Sequence, residues 1–198
     1  GNSANYNGLR INFEDKNVNN VNGLNIAGIS DIGKLNGINI GVLVSLDSYS
    51  NGIDIGGLTT RLGKHNGIAL GSFALKGQKI NGLGLSFFSV KADTINGVFL
   101  GSYGIMPLND DDTTNVVNGL SIGGGTIAGV MNGVSLGFIG NLFGKLNGVS
   151  IGGVNLAKEL NGFQFGLINH AFNNRKLFRW TPIVNFNLRR KSHPLKHR

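Results

Sequence analysis

The chain has 198 residues, enough for one domain or one continuous repeat array, and its 40% apolar and 14% charged residues exclude a disordered low-complexity chain despite 33 glycines. Residues 1–174 hold ten acidic and ten Lys or Arg side chains, so the formal charge of +8 comes from Arg175, Lys176, Arg179, Arg189, Arg190, Lys191, Lys196 and Arg198, a basic tail rather than a basic binding face. There is no cysteine, which excludes disulfides and thiolate metal sites, and the longest apolar runs fall far short of the roughly 20 residues of a membrane-crossing helix.

From the N-terminus onward, Asn-Gly followed by an aliphatic or aromatic residue recurs eleven times. The first unit begins at Asn7, and the others at Asn22-Gly23, Asn36-Gly37, Asn51-Gly52, Asn66-Gly67, Asn81-Gly82, Asn96-Gly97, Asn118-Gly119, Asn132-Gly133, Asn147-Gly148 and Asn161-Gly162. The spacing is 14 or 15 residues except for one step of 22. A short repeat at fixed spacing marks an array of like units. It also spreads the same side chain along an axis, whereas catalysis needs different side chains at one point, so the expectation is a non-catalytic protein with no cofactor and no small-molecule substrate.

With Asn as position one, the third position is always Leu, Ile, Val or Phe and the fifth always Ile, Leu or Phe. The fourth is mostly small or polar, as in Asn25, Asn39, Asp54, Ser121, Ser135, Ser150 and Gln164. This period-two alternation predicts a strand, with positions three and five in a core and position four in solvent. Position six is Gly in eight units, which points to a bend or a close backbone approach. Position eight and the residue before each Asn are often apolar, so each unit reads as two short strands and two turns.

Asn-Gly tolerates positive φ and favours a tight turn. Two all-β architectures satisfy this. In a β-solenoid of about eleven coils, equivalent positions stack at about 4.8 Å and the Asn side chains form an internal amide ladder. In an antiparallel meander or barrel, each Asn-Gly is a two-residue hairpin turn. The constant spacing of positions three and six favours the solenoid.

The 22-residue step predicts an insertion loop over 107–117, a polar protrusion of the kind through which repeat arrays sometimes bind. Beyond Asn161 the pattern changes, and 172–188, with the sole Trp180, predicts a terminal strand that caps the array. Residues 1–188 thus form one β-repeat domain and 189–198 a flexible basic tail. No charged start followed by an apolar core opens the chain, so an export signal, if used, has been removed.

Candidate sites are few. Asp110, Asp111 and Asp112 supply oxygen ligands but lack the spacing of a calcium loop, so they predict a hydrophilic, partner-binding loop tip rather than a metal site. Arg189, Arg190 and Lys191 predict docking on an acidic protein surface; without a basic array or an aromatic platform, nucleic acid is not expected. His193 and His197 lie in the tail, and His65, in the usually apolar slot before Asn66, is expected at an edge. Ten acidic residues with no obvious facing pair argue against a carboxylate enzyme. No nucleophile elbow, phosphate loop or zinc-protease motif is present.

The units of form Asn-Gly-[Leu/Ile/Val]-x-[Ile/Leu]-Gly, closing with Asn161-Gly-Phe-Gln-Phe-Gly-Leu-Ile-Asn169 and Trp180-Thr-Pro-Ile-Val-Asn-Phe186, resemble the surface-repeat proteins of Bacteroidota. The resemblance covers about residues 7–188. It implies an exported, periplasmic protein at the outer membrane, peripheral rather than spanning, with an outer-membrane protein as partner. A translocon barrel of the type IX secretion system is the partner this suggests, its periplasmic mouth being occluded. An outer-membrane β-barrel or a surface-exposed adhesin is the alternative; the barrel suffers from strands shorter than about 9 to 11 residues and from no expected outward apolar band.

Overall fold

A computed structural model describes residues 5–108 and 115–188. It contains β1 (Asn5–Glu14), β2 (Val18–Gly56), β3 (Thr59–Gly71), β4 (Ala74–Ser86), β5 (Ser89–Gly101), β6 (Gly104–Met106), β7 (Val116–Ala171), a 3₁₀ turn (Lys176–Phe178) and β8 (Trp180–Asn187). The described residues form no α-helix. The long β2 and β7 are ribbons that bend through several coils without losing their ladder.

Pairing is parallel from β1 to β7, with each residue matched to its equivalent one unit on: Asn51↔Asn66, Asn66↔Asn81 and Asn81↔Asn96, for example. The parallel register makes the array a β-solenoid and rules out the antiparallel meander and barrel. The 22-residue step leaves it untouched, since Asn96 still pairs with Asn118 and Gly97 with Gly119.

Burial repeats with the same period. In the coil starting at Asn51, the inward residues are Asp54, Gly56, Thr60, Leu62 and His65. These are positions four, six, ten, twelve and fifteen. Between them the chain turns where consecutive residues face out, at positions one to three, seven to nine and thirteen to fourteen. Each coil is therefore a triangle, and the stack is a three-sided prism whose first side runs from position three to position six.

The expected facing of the first side is reversed. Position four points inward, with Asn25, Asn39, Asp54, Ser121, Ser135, Ser150 and Gln164 all fully buried. Positions three and five point outward. Period-two alternation fixes which residues share a face but leaves open which face is inside. The polar residues go in because they satisfy one another there: Asn25 Nδ2 donates to Asn39 Oδ1 at 2.9 Å, and Asn39 Nδ2 to Ser45 Oγ and Asp47 Oδ2 at 2.9 and 3.0 Å. In the C-terminal half, Asn141 donates to Asn155 and Asn155 to Asn169, each at 2.9 Å.

The apolar core sits elsewhere in the cross-section. It is built from the residue before each Asn (Leu35, Ile80, Ile95, Val117, Met131, Leu146, Leu160) with Leu75, Val90 and Ile105 at position ten and Phe99 in the middle of the array. Position eight, apolar in sequence, lies on a corner and is exposed, as Leu58, Phe73, Phe88 and Tyr103 show.

The Asn ladder exists, but it runs along an outer corner and not inside. Ten side-chain bonds of 2.6–3.4 Å link all eleven Asn residues, from Asn22 donating to Asn7 through Asn161 donating to Asn147. The following Gly carries φ between 104° and 146°, where a side chain is strained. At Gly52 an added Cβ would also collide with the carbonyl of Gly37 in the coil below, so this corner requires Gly.

β8 closes the C-terminal end as expected, running antiparallel to the last coil with Phe163↔Phe186 and His170↔Trp180. Asn174 clamps it, donating to Asn185 Oδ1 and accepting from Asn187 Nδ2, both at 2.7 Å.

Candidate docking face

The first side of the prism presents two outward columns. One is position three, running from Leu24 through Ile38, Ile53, Ile68 and Leu83 to Phe163; the other is position five, running from Ile26 through Ile55, Leu70, Leu85 and Leu100 to Phe165. With Leu9 and Ile11 of the first coil included, all twenty-two positions are aliphatic or Phe. Each side chain is half-buried against its neighbours in the column, with Ile68 at 36% and Ile151 at 45% exposure, and the first coil stands freer. Ile55, Leu70, Leu85 and Leu100 line an open trough of about 430 Å³ that crosses four coils.

One border of this side is the Asn ladder. The other is an aromatic corner, where Phe88 stacks on Tyr103 with centroids 5.0 Å apart and on Phe73 at 6.0 Å. A continuous outward apolar band is thus present, which corrects the expectation that none exists. Its extent, about 50 Å by 13 Å from coil and residue spacing, exceeds the few hundred Å² of apolar patch usual on a soluble monomer.

Charge is segregated from it. Most outward charges of the coils, Asp31, Lys34, Arg61, Lys64, Lys76, Lys79, Lys91, Asp93, Lys145, Lys158 and Glu159, lie two, three or five residues before a repeat Asn, while Glu14 at position eight and Lys16 at position ten of the first coil are exceptions. The former belong to the second side and the corner opposite the apolar side. With Glu14 and Lys16 included, nine are cations and four are anions. A cavity of about 600 Å³ opens on this second side, lined among others by Asp31, Leu46, Asp47, Arg61, Lys76 and Gln78.

Beneath the apolar side lies a buried ionisable cluster that the sequence did not disclose. His65, expected at an edge, is fully buried, with Nδ1 3.1 Å from Asp54 Oδ2 and 3.1 Å from Ser50 Oγ. Ser50 donates to the same Asp54 oxygen. Asp47 faces Asp54, so a carboxylate pair does exist. Burial first, and then the neighbouring Asp54 carboxylate, push the Asp47 carboxyl well above the usual range. Burial also pushes Asp54 up, but hydrogen bonds from His65, Asp47 and Ser50 together with the His65 charge outweigh that and leave it below its ordinary value.

The signal was present in retrospect. Ser50 and His65 are the polar exceptions in the column before Asn, and they flank the coil that carries Asp54 at position four. Asp54 and His65 have no solvent contact, and only Asp47 borders a surface cavity. The cluster is structural in its surroundings: Asn39 and Ser45 hold Asp47, and the chain of bonds continues through Asn25 to Asp15, which is paired to Arg10 at 2.7 Å.

Asp110, Asp111 and Asp112, and Arg189, Arg190 and Lys191 with the rest of the tail, lie outside the described residues. Among the described residues no three His, Asp or Glu side chains converge as a metal site, and no helix is long and apolar enough to cross a membrane. No family model, no curated protein and no solved structure matches the chain.

Proposed function

We propose that the protein is a non-catalytic docking body of the bacterial cell envelope, held at the outer membrane by the apolar side of its prism. The observation that carries this is the outward band of twenty-two aliphatic or Phe positions, with the outward coil charges on the other sides except Glu14 at its border. A patch of that size exposed to water favours association. The register-locked stack, with its ladder of ten Asn bonds, makes it a stiff element that needs no ligand to take shape. The ionisable groups that do converge, Asp47, Asp54 and His65, are enclosed, which supports a structural role for them.

On the resemblance to Bacteroidota surface-repeat proteins, the partner is a large translocon barrel of the type IX secretion system. The protein then occludes its periplasmic mouth, as the Plug protein of that system does, and lies peripheral to the membrane. Photo-crosslinking from a reactive group placed at Leu85, followed by affinity purification from native envelopes, tests the assignment. Capture of a giant barrel supports it; recovery of no barrel, either as an adduct or by co-purification, contradicts it.

A further inference from the structure

Resting on the reading that the apolar side is the docking face, we infer that its contact is the hydrocarbon of a lipid leaflet, so that the solenoid lies in the membrane surface like an amphipathic helix built from β-coils.

Three observations favour lipid over a protein surface. First, the alternation is inverted. Polar Asn25, Asn39, Ser121 and Ser135 face the interior while their aliphatic neighbours face out, the polar-in, apolar-out order of strands that meet lipid. Second, the face offers nothing to hydrogen-bond. Protein interfaces carry about one hydrogen bond per 100–200 Å², so a patch of roughly 650 Å² would be expected to show several polar side chains, and positions three and five show none in eleven coils. The parallel ladders also satisfy the backbone from coil to coil, which hydrocarbon demands of any chain that touches it.

Third, the charge is arranged for a headgroup layer. Interfacial bodies sink about 5–10 Å, leaving their flanks among the headgroups. Here the second side, which flanks the apolar one, carries Arg61, Lys76 and Lys91 against Asp31, a cationic flank complementary to anionic lipid. Phe73, Phe88 and Tyr103 stack along the border between the two zones, where aromatic rings suit a membrane interface.

The test uses the full chain with vesicles of phosphatidylethanolamine and phosphatidylglycerol in density-gradient flotation. The protein floats, and a Leu70→Glu/Leu85→Glu variant with an unchanged far-UV spectrum and melting curve floats roughly tenfold less or worse. Both side chains point outward, so the fold survives the change. In a second arm, Trp180→Phe removes the native fluorophore and a single Trp is placed at Leu85 or at Lys79; brominated acyl chains quench the first and spare the second. Failure of the wild type to float, flotation unaffected by the double substitution, or equal quenching at both sites overturns the inference. So does a lipid-free dimer abolished by the double substitution, which assigns the face to a second copy. If the lipid arms fail while Leu85 still crosslinks to an envelope protein, the docking reading stands alone; if the crosslink also fails, both fall.

Discussion

Asp54 is buried inside the prism while Ile55, its neighbour in the chain, stands on the outside. The inversion has a consequence for pH. Asp54 is held below its ordinary pKa, so its contribution to stability is present above the unfolded value of about 3.9 and is lost as pH falls through the folded value. Asp47 is held well above its ordinary value, so its contribution is complete below about 3.9 and is lost as pH rises toward the folded value. Asp47→Asn removes the second contribution. Melting temperatures measured across pH should show the decline above about pH 3.9 flattened in this variant and the decline at lower pH retained. An unchanged decline above that pH would show that Asp47 does not contribute to it.

The outer Asn ladder contributes in small, equal steps. Asn66→Ala removes two bonds, one of 2.8 Å to Asn51 and one of 2.6 Å from Asn81. Solvent-facing amide bonds are worth about 0.5–1 kcal/mol each, so a loss of about 1–2 kcal/mol is expected. Thermal melting should fall by several degrees without change in the strand spectrum.

Glycine substitutions separate two kinds of close approach. Gly52→Ala forces a side chain onto a residue with φ of 136° and into the Gly37 carbonyl, and should cost about 3 kcal/mol or more. Gly56→Val meets Thr60 Oγ1 and the Thr59 carbonyl inside the aromatic-side corner. It should destabilise the array by a similar amount, about 3 kcal/mol. Denaturant titration of each variant checks both; a midpoint like that of the wild type at Gly56 would mean that the corner yields.

The C-terminal cap has its own pH dependence. His170 stacks on Trp180 with centroids 4.0 Å apart and meets Phe172 edge-on at 4.1 Å. Burial and the nearby Arg179 charge lower its pKa. Undocked His170 takes a proton near pH 6.5 and docked His170 resists it, so attachment of β8 weakens as pH falls from about 6.5 toward the docked value. Fluorescence of Trp180, the sole Trp, should report that loosening, and His170→Phe should abolish the pH effect.

The repeat made the solenoid, its unit length, the capping strand and the glycine corners legible, because spacing is a direct image of stacking. The facing of the first side was not legible. Leu70 and Ala69 alternate in sequence just as they would if Leu70 were the inward residue, and only the cross-strand partners of position four decide between the two phases. Those partners, such as Ser45 and Asp47 for Asn39, lie on another side of the prism and follow no local pattern. The same holds for His65, whose burial depends on Ser50 one coil away and Asp54 eleven residues before it.

Thiol accessibility tests the inverted facing most directly, since the natural chain has no cysteine. Leu70→Cys and Ala69→Cys differ by one residue, and Ala69 is fully buried. In the purified, folded protein, Leu70→Cys should react with a water-soluble maleimide at the rate of a surface thiol. Ala69→Cys should react only on unfolding. Rapid labelling at position 69 with protection at position 70 would place the aliphatic columns inside the prism and remove the docking face altogether.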